Sequence, residues 1–213
     1  MIDFKGAIFD LDGTLIDSMA IWNRVGTDFL LSHGITPPED IEELLKPMSF
    51  YQSAQYFIEV HQINYTADQI MTLVYEKVAD QYRSTIPLKD SIKEYLEKLH
   101  KHGIKKCVAT ASNKELAIEA LKRLEIDHYF EFIVTCDELN TGKEEPKIYL
   151  EAAKRLGMNQ EDIVVFEDAL YCAKTAKNAG FHVVGVYDKS SQKDIEALRE
   201  ECGHFIMSFK ELL

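Results

Sequence analysis

The sequence predicts an α/β fold in which a Rossmann-like core with a parallel sheet carries an inserted α-helical cap. Short apolar runs typical of buried parallel strands alternate with amphipathic helical segments after the first run. The interval between the first two runs, about residues 16–103, is much longer than one crossover helix needs, and its surplus has helical periodicity. A chain of 213 residues is long enough for one sizeable core and a small insert.

Five apolar runs are predicted strands, and a sixth run is weaker. They are residues 7–9, 106–109, 132–134, 163–166 and 182–186, with the weaker run at 204–207. Helices with one apolar face are predicted between them: one over about 89–102 that ends near Gly103, one with its apolar face at 116–124, and one that stops at Gly157. This alternation indicates a parallel sheet covered on both faces.

Residues 17–86 are predicted to form a helical cap domain inserted into a core made of residues 1–16 and 87–213. A capping-box pattern at Thr66 and Gln69 begins one helix that continues through Tyr82. Pro87 and the residues before it are the predicted return linker. Apolar residues at helical spacing indicate two earlier helices, namely Trp22, Val25, Phe29 and Leu30 for the first and Ala54, Phe57 and Ile58 for the second.

Acidic residues outnumber basic ones by 36 to 24, which gives a net charge of −12. Such a surface repels nucleic acid and anionic lipid, so we expect neither nucleic acid nor a membrane as a partner. Any anion-binding site must create a local positive field from a metal, a lysine or backbone N–H groups. The chain has no signal-peptide pattern, no apolar stretch of membrane-spanning length and no C-x-x-C pair. We expect a cytoplasmic protein with reduced cysteines, and take it to be a monomer.

The strongest motif, Phe9-Asp10-Leu11-Asp12-Gly13-Thr14-Leu15-Ile16-Asp17-Ser18, follows from the first apolar run. Residues two apart on a strand face the same side, so Asp10 and Asp12 should both point into the crevice at the carboxyl end of the sheet. Gly13 permits the chain to turn there. One carboxylate can then act as nucleophile or metal ligand and the other as proton donor. Solvated turn acids are the alternative, which the length of the motif disfavours.

Three weaker motifs also lie at strand ends or in loops that lead into the next helix. Thr110-Ala111-Ser112-Asn113 supplies a hydroxyl and free N–H groups for an anion, although this pattern also occurs at ordinary helix N-caps. Lys143 supplies a cation, and Glu167 and Asp168 supply oxygen ligands of the kind that Mg²⁺ prefers. Together with the first motif, these groups provide the charge neutralisation and positioning that phosphoryl transfer requires.

On these motifs the chain resembles the haloacid dehalogenase superfamily, in the branch with a helical cap between its first and second motifs. It is most similar to the β-phosphoglucomutase-like and phosphoglycolate-phosphatase-like members, over essentially the whole chain. The resemblance implies an Mg²⁺-dependent phosphatase that forms a phospho-aspartate on Asp10, with Asp12 as general acid and base. It implies that Thr110 binds the phosphoryl group, that Lys143 pairs with the nucleophile and phosphate, and that Mg²⁺ is held by Asp10, Asp168 and the backbone carbonyl of Asp12, with support from Glu167.

The resemblance also implies phosphate and substrate contacts, from Gly13, Ala111, Ser112 and Asn113 in the core and from Trp22, Lys46, Ser49 and Phe50 in the cap. A sugar-phosphate mutase must hold a second phosphate with a cationic anchor, which in the mutase-like relatives is an arginine after a serine in the cap. Here Phe50 follows Ser49, and Trp22 stands where those relatives carry a histidine. We expect a phosphatase for a small phosphorylated metabolite with a neutral or aromatic leaving group, and retain a β-phosphoglucomutase-type mutase as the alternative. Phe50 and Trp22 are equally consistent with packing inside the cap.

Two departures from the family pattern bear on activity and substrate fit rather than on reaction class. The usual Glu-Asp-Ser, with a glycine two residues later, becomes Glu167-Asp168-Ala169-Leu170-Tyr171-Cys172. The usual Gly-Lys-Pro-x-Pro becomes Gly142-Lys143-Glu144-Glu145-Pro146. The second change places two acids beside Lys143, and we expect them to weaken its local field.

Proteins of other classes share parts of this pattern. A receiver domain also accepts phosphate on an aspartate, but it is much shorter and carries its acid pair before that aspartate. A dehalogenase would need no Mg²⁺ and no acid at position 12, and a phosphonate hydrolase would need a cap lysine as an amine nucleophile, for which Lys46 is a remote candidate. A non-catalytic binding protein stays open, since all of the motifs can persist in a scaffold.

Overall fold

The computed structural model describes residues 4–213 of the chain. The strands in that range are β1 (Gly6–Phe9), β2 (Lys105–Thr110), β3 (Ile133–Thr135), β4 (Ile163–Glu167), β5 (His182–Val186) and β6 (Phe205–Ile206). They form one sheet in the order β3-β2-β1-β4-β5-β6, and every neighbouring pair is parallel. The predicted α/β, Rossmann-like fold is therefore confirmed. Since β1 lies between β2 and β4, the crossovers on its two sides leave a crevice at its carboxyl end.

Ten α-helices connect these strands within the described residues. They are α1 (Met19–Ser32), α2 (Ile41–Leu45), α3 (Phe50–His61), α4 (Ala67–Ser84), α5 (Ile92–Lys101), α6 (Lys114–Arg123), α7 (Cys136–Leu139), α8 (Lys147–Leu156), α9 (Leu170–Asn178) and α10 (Ile195–Cys202). The predicted capping box at Thr66 is present at the start of α4, and Ser49 forms a second capping box with Gln52 at the start of α3.

Two hydrophobic clusters cover the two faces of the sheet because successive strand residues point in opposite directions. Phe9 belongs to one cluster, in which it stacks on Phe166 with ring centroids 4.5 Å apart. Ile8 belongs to the other cluster, together with Tyr149 of α8. Burial of these side chains holds β1 beside β4, so that the acidic residues following the two strands meet at one edge of the sheet.

The helices between β1 and α5 have a hydrophobic cluster of their own. Its buried members include Phe29, Phe57 and Ile70, with Phe29 and Phe57 stacked at 4.8 Å. The last turns of α4 instead contribute Val78 and Tyr82 to the cluster of the sheet. One helix thus packs against both the inserted helices and the core, and the division of the chain at 17–86 stays a prediction.

The two connections between the insert and the sheet run side by side. The N–H of Asp17 donates to the carbonyl of Pro87 at 3.0 Å, and Ile16 pairs with Leu88 in an isolated antiparallel bridge. The insert therefore leaves and re-enters the core at one place, directly beyond the motif that carries Asp10 and Asp12.

The four cysteines are unpaired, as the lack of C-x-x-C spacing predicts. Cys107, Cys136 and Cys172 are buried, and burial raises the pKa of the Cys136 thiol to about 12, so this thiol stays protonated at neutral pH. No helix within residues 4–213 combines the length and the apolar character needed to cross a membrane.

Candidate active site

Asp10 lies directly after β1, and its N–H donates to the carbonyl of Phe166 at 3.1 Å, which continues the contact between β1 and β4. Its carboxylate is buried and accepts a hydrogen bond from the Lys143 ammonium. The same ammonium donates to Glu167 Oε1 at 2.7 Å. The structure thus brings together three of the predicted site residues, which the sequence places on three separate segments.

Lys143 is buried between these two carboxylates. Burial alone would lower the pKa of Lys143, but the charges of Asp10 and Glu167 outweigh it and hold that pKa well above its usual range. The acids beside it in the sequence, Glu144 and Glu145, are exposed to solvent. Lys143 therefore remains a cation directed at Asp10, because its ion-pair partners come from the strand ends rather than from its own loop.

Asp10, Glu167 and Asp168 each offer a carboxylate oxygen to a common point, with these atoms within 4.8 Å of one another and all three residues buried. Burial, followed by the charges of Glu167 and Asp188, raises the pKa of Asp168 to about 7. Three carboxylates beside one ammonium keep an excess of negative charge, which a divalent cation held by oxygen ligands would neutralise. The residues present therefore fit the predicted Mg²⁺.

The Asp12 carboxylate is half-buried and faces four hydrogen-bond donors. Its Oδ1 accepts from Ser18 at 2.5 Å, from Trp22 Nε1 at 3.2 Å and from the Tyr82 hydroxyl, while Oδ2 accepts from Ser112 at 2.5 Å. Burial and the charge of Asp12 raise the pKa of Tyr82 well above its usual range, so its phenol remains a donor. The side chain of Asp12 is not part of the carboxylate group around Asp10, which leaves it available for proton transfer.

Gly13 makes the turn between Asp12 and the following helix possible in two ways. Its φ of +89° lies in the left-handed region that side chains disfavour. A Cβ atom at this position would also lie 2.5 Å from Asp168 Oδ2. Glycine therefore lets the first motif pass directly against the carboxylate of the fourth strand.

The motif after β2 divides its residues between the site and the helix that follows. Thr110 Oγ1 accepts the N–H of Ser112 at 2.9 Å, and both residues line the cavity beside Asp10 together with Ala111. Asn113 instead accepts the N–H groups of Glu115 and Leu116 and caps α6. Its side chain is occupied and does not line the cavity, so its part in phosphate binding stays a prediction.

A cavity of about 180 Å³ extends from Asp10 and Asp12 into the inserted helices. Three of the predicted cap residues, Trp22, Lys46 and Phe50, line it, and Trp22 meets Phe50 edge-to-face at 5.6 Å. Ser49 is buried and caps α3, so its side chain is not on the cavity wall. Trp22 and Phe50 line the cavity and also pack on each other. Their positions are therefore consistent both with substrate contact and with packing inside the cap.

Several residues at this site had not been selected from the sequence. Tyr82 reaches Asp12 from 70 residues away, and Tyr149 donates to Glu167 at 2.8 Å from α8. Thr14 donates to Asp168 Oδ1 at 3.3 Å. Thr14 and Ser18 were visible inside the first motif, whereas Tyr82 and Tyr149 lie on helix faces where they resemble ordinary core residues.

The chain is similar to known proteins over most of its length. A family model described as haloacid dehalogenase-like hydrolase matches residues 7–186. The chain is 28% identical to a phosphorylated carbohydrates phosphatase from Thermotoga maritima, over 98% of this chain and 96% of that protein. It is 28% identical to the fructose-1-phosphate phosphatase YqaB of Escherichia coli, over 86% of this chain and 96% of that protein. Its fold matches a β-phosphoglucomutase from Clostridium difficile with a TM-score of 0.77 at 22% identity, over 99% of this chain and 93% of that chain.

The matched range begins in β1 and ends at the last residue of β5, so it includes both acidic motifs, the inserted helices and Lys143. The two relatives compared by sequence are covered over nearly their whole length. The resemblance inferred from the motifs is confirmed. The chain belongs to the haloacid dehalogenase-like hydrolase family.

Proposed function

We propose that this protein is an Mg²⁺-dependent phosphatase that hydrolyses a small phosphate monoester through a phospho-aspartate on Asp10. The observation that carries the proposal is the surroundings of the buried Asp10. Its carboxylate contacts the Lys143 ammonium and belongs to a cluster with Glu167 and Asp168, and it lines the same cavity as Asp12. The names of the two relatives compared by sequence support a phosphorylated carbohydrate or similar metabolite as substrate. The monomeric state and cytoplasmic location remain predictions from the sequence.

In the first step an oxygen of Asp10 attacks phosphorus, and the bond between phosphorus and the ester oxygen breaks. Asp12, in its acid form, gives its proton to the departing oxygen. In the second step the Asp12 carboxylate takes a proton from water, whose oxygen attacks phosphorus. The bond to Asp10 then breaks and phosphate leaves.

Charge neutralisation in both steps comes from the groups around Asp10. The ammonium of Lys143 lies beside the nucleophile, and the hydroxyl of Thr110 lines the same cavity. Mg²⁺, when held by Asp10, Asp168 and Glu167, would supply positive charge to the phosphoryl oxygens. The four donors around Asp12 orient its carboxylate toward the cavity side of the site.

The lining of the cavity favours an uncharged leaving group. Within the insert the walls are mainly apolar and include Trp22, Met48, Phe50 and Met71. Glu42 and Glu43 also line the cavity. Among the described residues of the insert, Lys46 is the one basic residue that lines it. A second phosphate there would meet two carboxylates and lack the bidentate fork that arginine offers.

The test is a screen of phosphate release from phosphosugars, phosphopolyols, nucleotides and phosphoglycolate, with Mg²⁺ and with excess chelator. We expect wild type to release phosphate, in the presence of Mg²⁺, from one or more esters whose alcohol is uncharged. We expect no phosphate release by Asp10→Asn, because an amide is a poor nucleophile. Turnover by Asp10→Asn at the wild-type rate would overturn the mechanism.

A mutase of the β-phosphoglucomutase type is the second candidate, because Lys46 and Ser49 match the cap pattern of those relatives. Its test supplies β-glucose 1-phosphate with a catalytic trace of the bisphosphate and follows glucose 6-phosphate. We expect phosphate release to exceed isomerisation. Efficient conversion that outpaces release would assign the protein to the mutases instead.

A further inference from the structure

The chain departs from the family pattern directly after its metal-ligand motif, where Tyr171 lies in the first turn of α9. The Tyr171 hydroxyl donates to the backbone carbonyl of Lys46 at 2.7 Å, a contact between residues 125 positions apart. It connects a helix of the sheet domain to the loop between α2 and α3. Both residues line the cavity that holds Asp10.

The carbonyl of Lys46 needs a partner from outside its own helix. Lys46 is the C-cap residue directly after α2, and the carbonyls at the end of a helix have no intrahelical donor. The nearby N–H groups are occupied elsewhere, because Met48 donates to the carbonyl of Leu45 and Ser49 donates to Gln52 Oε1. The Tyr171 hydroxyl thus supplies the hydrogen bond that the Lys46 carbonyl lacks from its own segment. This bond holds the loop between α2 and α3 against α9.

The hydrogen bond from Tyr171 to the Lys46 carbonyl also positions the side chain of Lys46. Within residues 4–213 no hydrogen bond or ion pair is formed by its ammonium, although it lines the same cavity as Asp168. Asp10 lines this cavity as well, so an anion bound beside these two acids would lie in the same cavity as the Lys46 ammonium. An unpaired cation at this place is available to an anionic ligand.

A second contact holds the other end of the same segment. The N–H of Tyr51, in the first turn of α3, donates to Asp137 Oδ1 at 3.2 Å. Asp137 belongs to α7 of the core. Residues 46–51, which include the three predicted substrate-binding residues Lys46, Ser49 and Phe50, are thus attached to the core at both ends.

We propose that Tyr171 is a positioning residue that, with Asp137 as the second anchor, docks residues 46–51 on the core and holds the Lys46 ammonium over the phosphoryl site. The proposal rests on the proposed phosphatase function for its kinetic consequence, and on the contacts alone for its structural one. A tyrosine is required because phenylalanine fills nearly the same space but cannot donate to the Lys46 carbonyl.

The structural consequence is tested by hydrogen exchange of backbone amides, followed by mass spectrometry, in wild type and Tyr171→Phe. The amides of Met48, Ser49, Tyr51 and Gln52 are all hydrogen-bonded in the docked segment. Loss of one hydrogen bond should speed their exchange by about 3- to 10-fold and leave the sheet unchanged. The matched control is Tyr129→Phe, which removes a phenol hydrogen bond to Glu97 away from the site and should leave this segment unchanged. Equal exchange in wild type and Tyr171→Phe would overturn the docking role.

The kinetic consequence is tested by a double-mutant cycle with Lys46→Met, using a substrate that the phosphate-release screen identifies. Tyr171→Phe should raise KM by about 3- to 10-fold with little change in kcat, and should add almost nothing to the KM of Lys46→Met. Additive effects would show that Tyr171 does not act through Lys46, and would overturn the proposal. If no substrate is hydrolysed by wild type, the proposed function fails, while the exchange experiment still decides the docking of residues 46–51.

Discussion

In the proposed mechanism both half-reactions depend on Asp12, because the same carboxyl group must give a proton and then take one back. Three of its four donors, Ser18, Trp22 and Tyr82, come from residues 17–86, and Ser112 comes from the loop after β2. The orientation of this carboxylate therefore depends on how the insert sits over the core.

We expect Asp12→Asn to lower turnover by about 10²- to 10⁴-fold, the usual contribution of a general acid and base. An amide cannot activate water, so the phospho-enzyme on Asp10 should accumulate with an activated substrate. Rapid quenching and intact-mass measurement would show an added phosphoryl group in Asp12→Asn and none in Asp10→Asn. An unmodified mass together with wild-type turnover would remove Asp12 from the mechanism.

Gly13 allows a prediction about stability with a close internal control. Gly13→Ala combines a left-handed backbone with a Cβ atom 2.5 Å from Asp168 Oδ2, whereas Gly103→Ala has φ of +71° and no atom within 4 Å of the new Cβ. The strained backbone alone should cost about 1–2 kcal/mol at Gly103, and the collision should add about 1–3 kcal/mol at Gly13. Urea unfolding measures both, and an equal loss in the two variants would contradict the crowding against Asp168.

At the scale of elements, the loop after β5 is tied to the linker that returns from the insert. Lys89 donates to Asp188 at 2.8 Å, and both side chains are largely buried. Burial raises the pKa of Asp188, but Lys89 and the N–H of Ser190 outweigh it, so the pKa lies below its ordinary value of 3.8. The charge of Asp188 also contributes to the raised pKa of Asp168, so this pair lies near the carboxylate cluster.

We expect Asp188→Asn to lower the free energy of unfolding by about 3–5 kcal/mol at pH 7, because it leaves a buried ammonium without its partner. A carboxyl group with a depressed folded-state pKa stabilises above its unfolded pKa and loses that contribution as the pH falls through the folded value. The difference between wild type and variant should therefore be constant near neutrality and shrink below about pH 4. Urea titrations across this range measure it, with Asp28→Asn in the exposed pair with Arg24 as a control that should change little. A gap that widens in acid would contradict the assignment.

The strands could be predicted from the sequence because each is a short apolar run between polar turns. The predicted site residues Asp10, Asp12 and Asp168 follow two of these runs, and Lys143 was predicted in a loop that leads into the next helix. Helix α7 could not be predicted, since its four residues are too few to show a period. The capping of α6 by Asn113 and the phosphate contact proposed for it have the same sequence pattern, so only the structure shows where its side chain points.

The contacts of Tyr82 and Tyr171 could not be predicted from the sequence for a different reason. Each joins segments 70 or more positions apart, and no spacing rule connects residues across such distances. Tyr82 in addition lies on an apolar helix face that serves two clusters, so its periodicity indicates burial and says nothing of its hydroxyl.

At the scale of the whole molecule, a protein of net charge −12 must still attract a phosphorylated substrate to a site with three buried carboxylates. We expect Mg²⁺ to be required for turnover and to raise the melting temperature of wild type, because it binds the folded state. Asp168→Ala should abolish both effects. Differential scanning fluorimetry with Mg²⁺ and with chelator measures the second effect independently of activity. Full activity in excess chelator would refute the metal requirement and favour the alternative hypothesis of a dehalogenase that needs no metal.

Residues 17–86 are predicted to move as a cap over the core. The buried members of their hydrophobic cluster are not shared with the sheet's cluster, although Trp22 and Val25 pack against both. Their two connections to the core lie together at Asp17 and Pro87. On the far side, the Tyr171–Lys46 and Tyr51–Asp137 hydrogen bonds join the insert to the core. Two such bonds contribute about 1–3 kcal/mol in total. The Arg83–Glu119 ion pair and the hydrogen bonds from Trp22 and Tyr82 to Asp12 also join the two parts, so opening must separate these groups or turn about them.

We therefore predict that the insert opens to admit substrate and closes over the bound phosphate to exclude water. Spin labels at Val60 in the insert and Met207 in the core, both exposed, report the distance between the two parts, after Cys202→Ser removes the partly exposed native thiol. The free protein should show a broad or double distance distribution, and Mg²⁺ with a phosphoryl analogue should narrow it to the shorter distance. A control pair at Leu150 and Met207, both in the core, should not change. A single distance that is identical with and without ligand would mean that the helices are a fixed roof, and that substrate reaches Asp10 by another route.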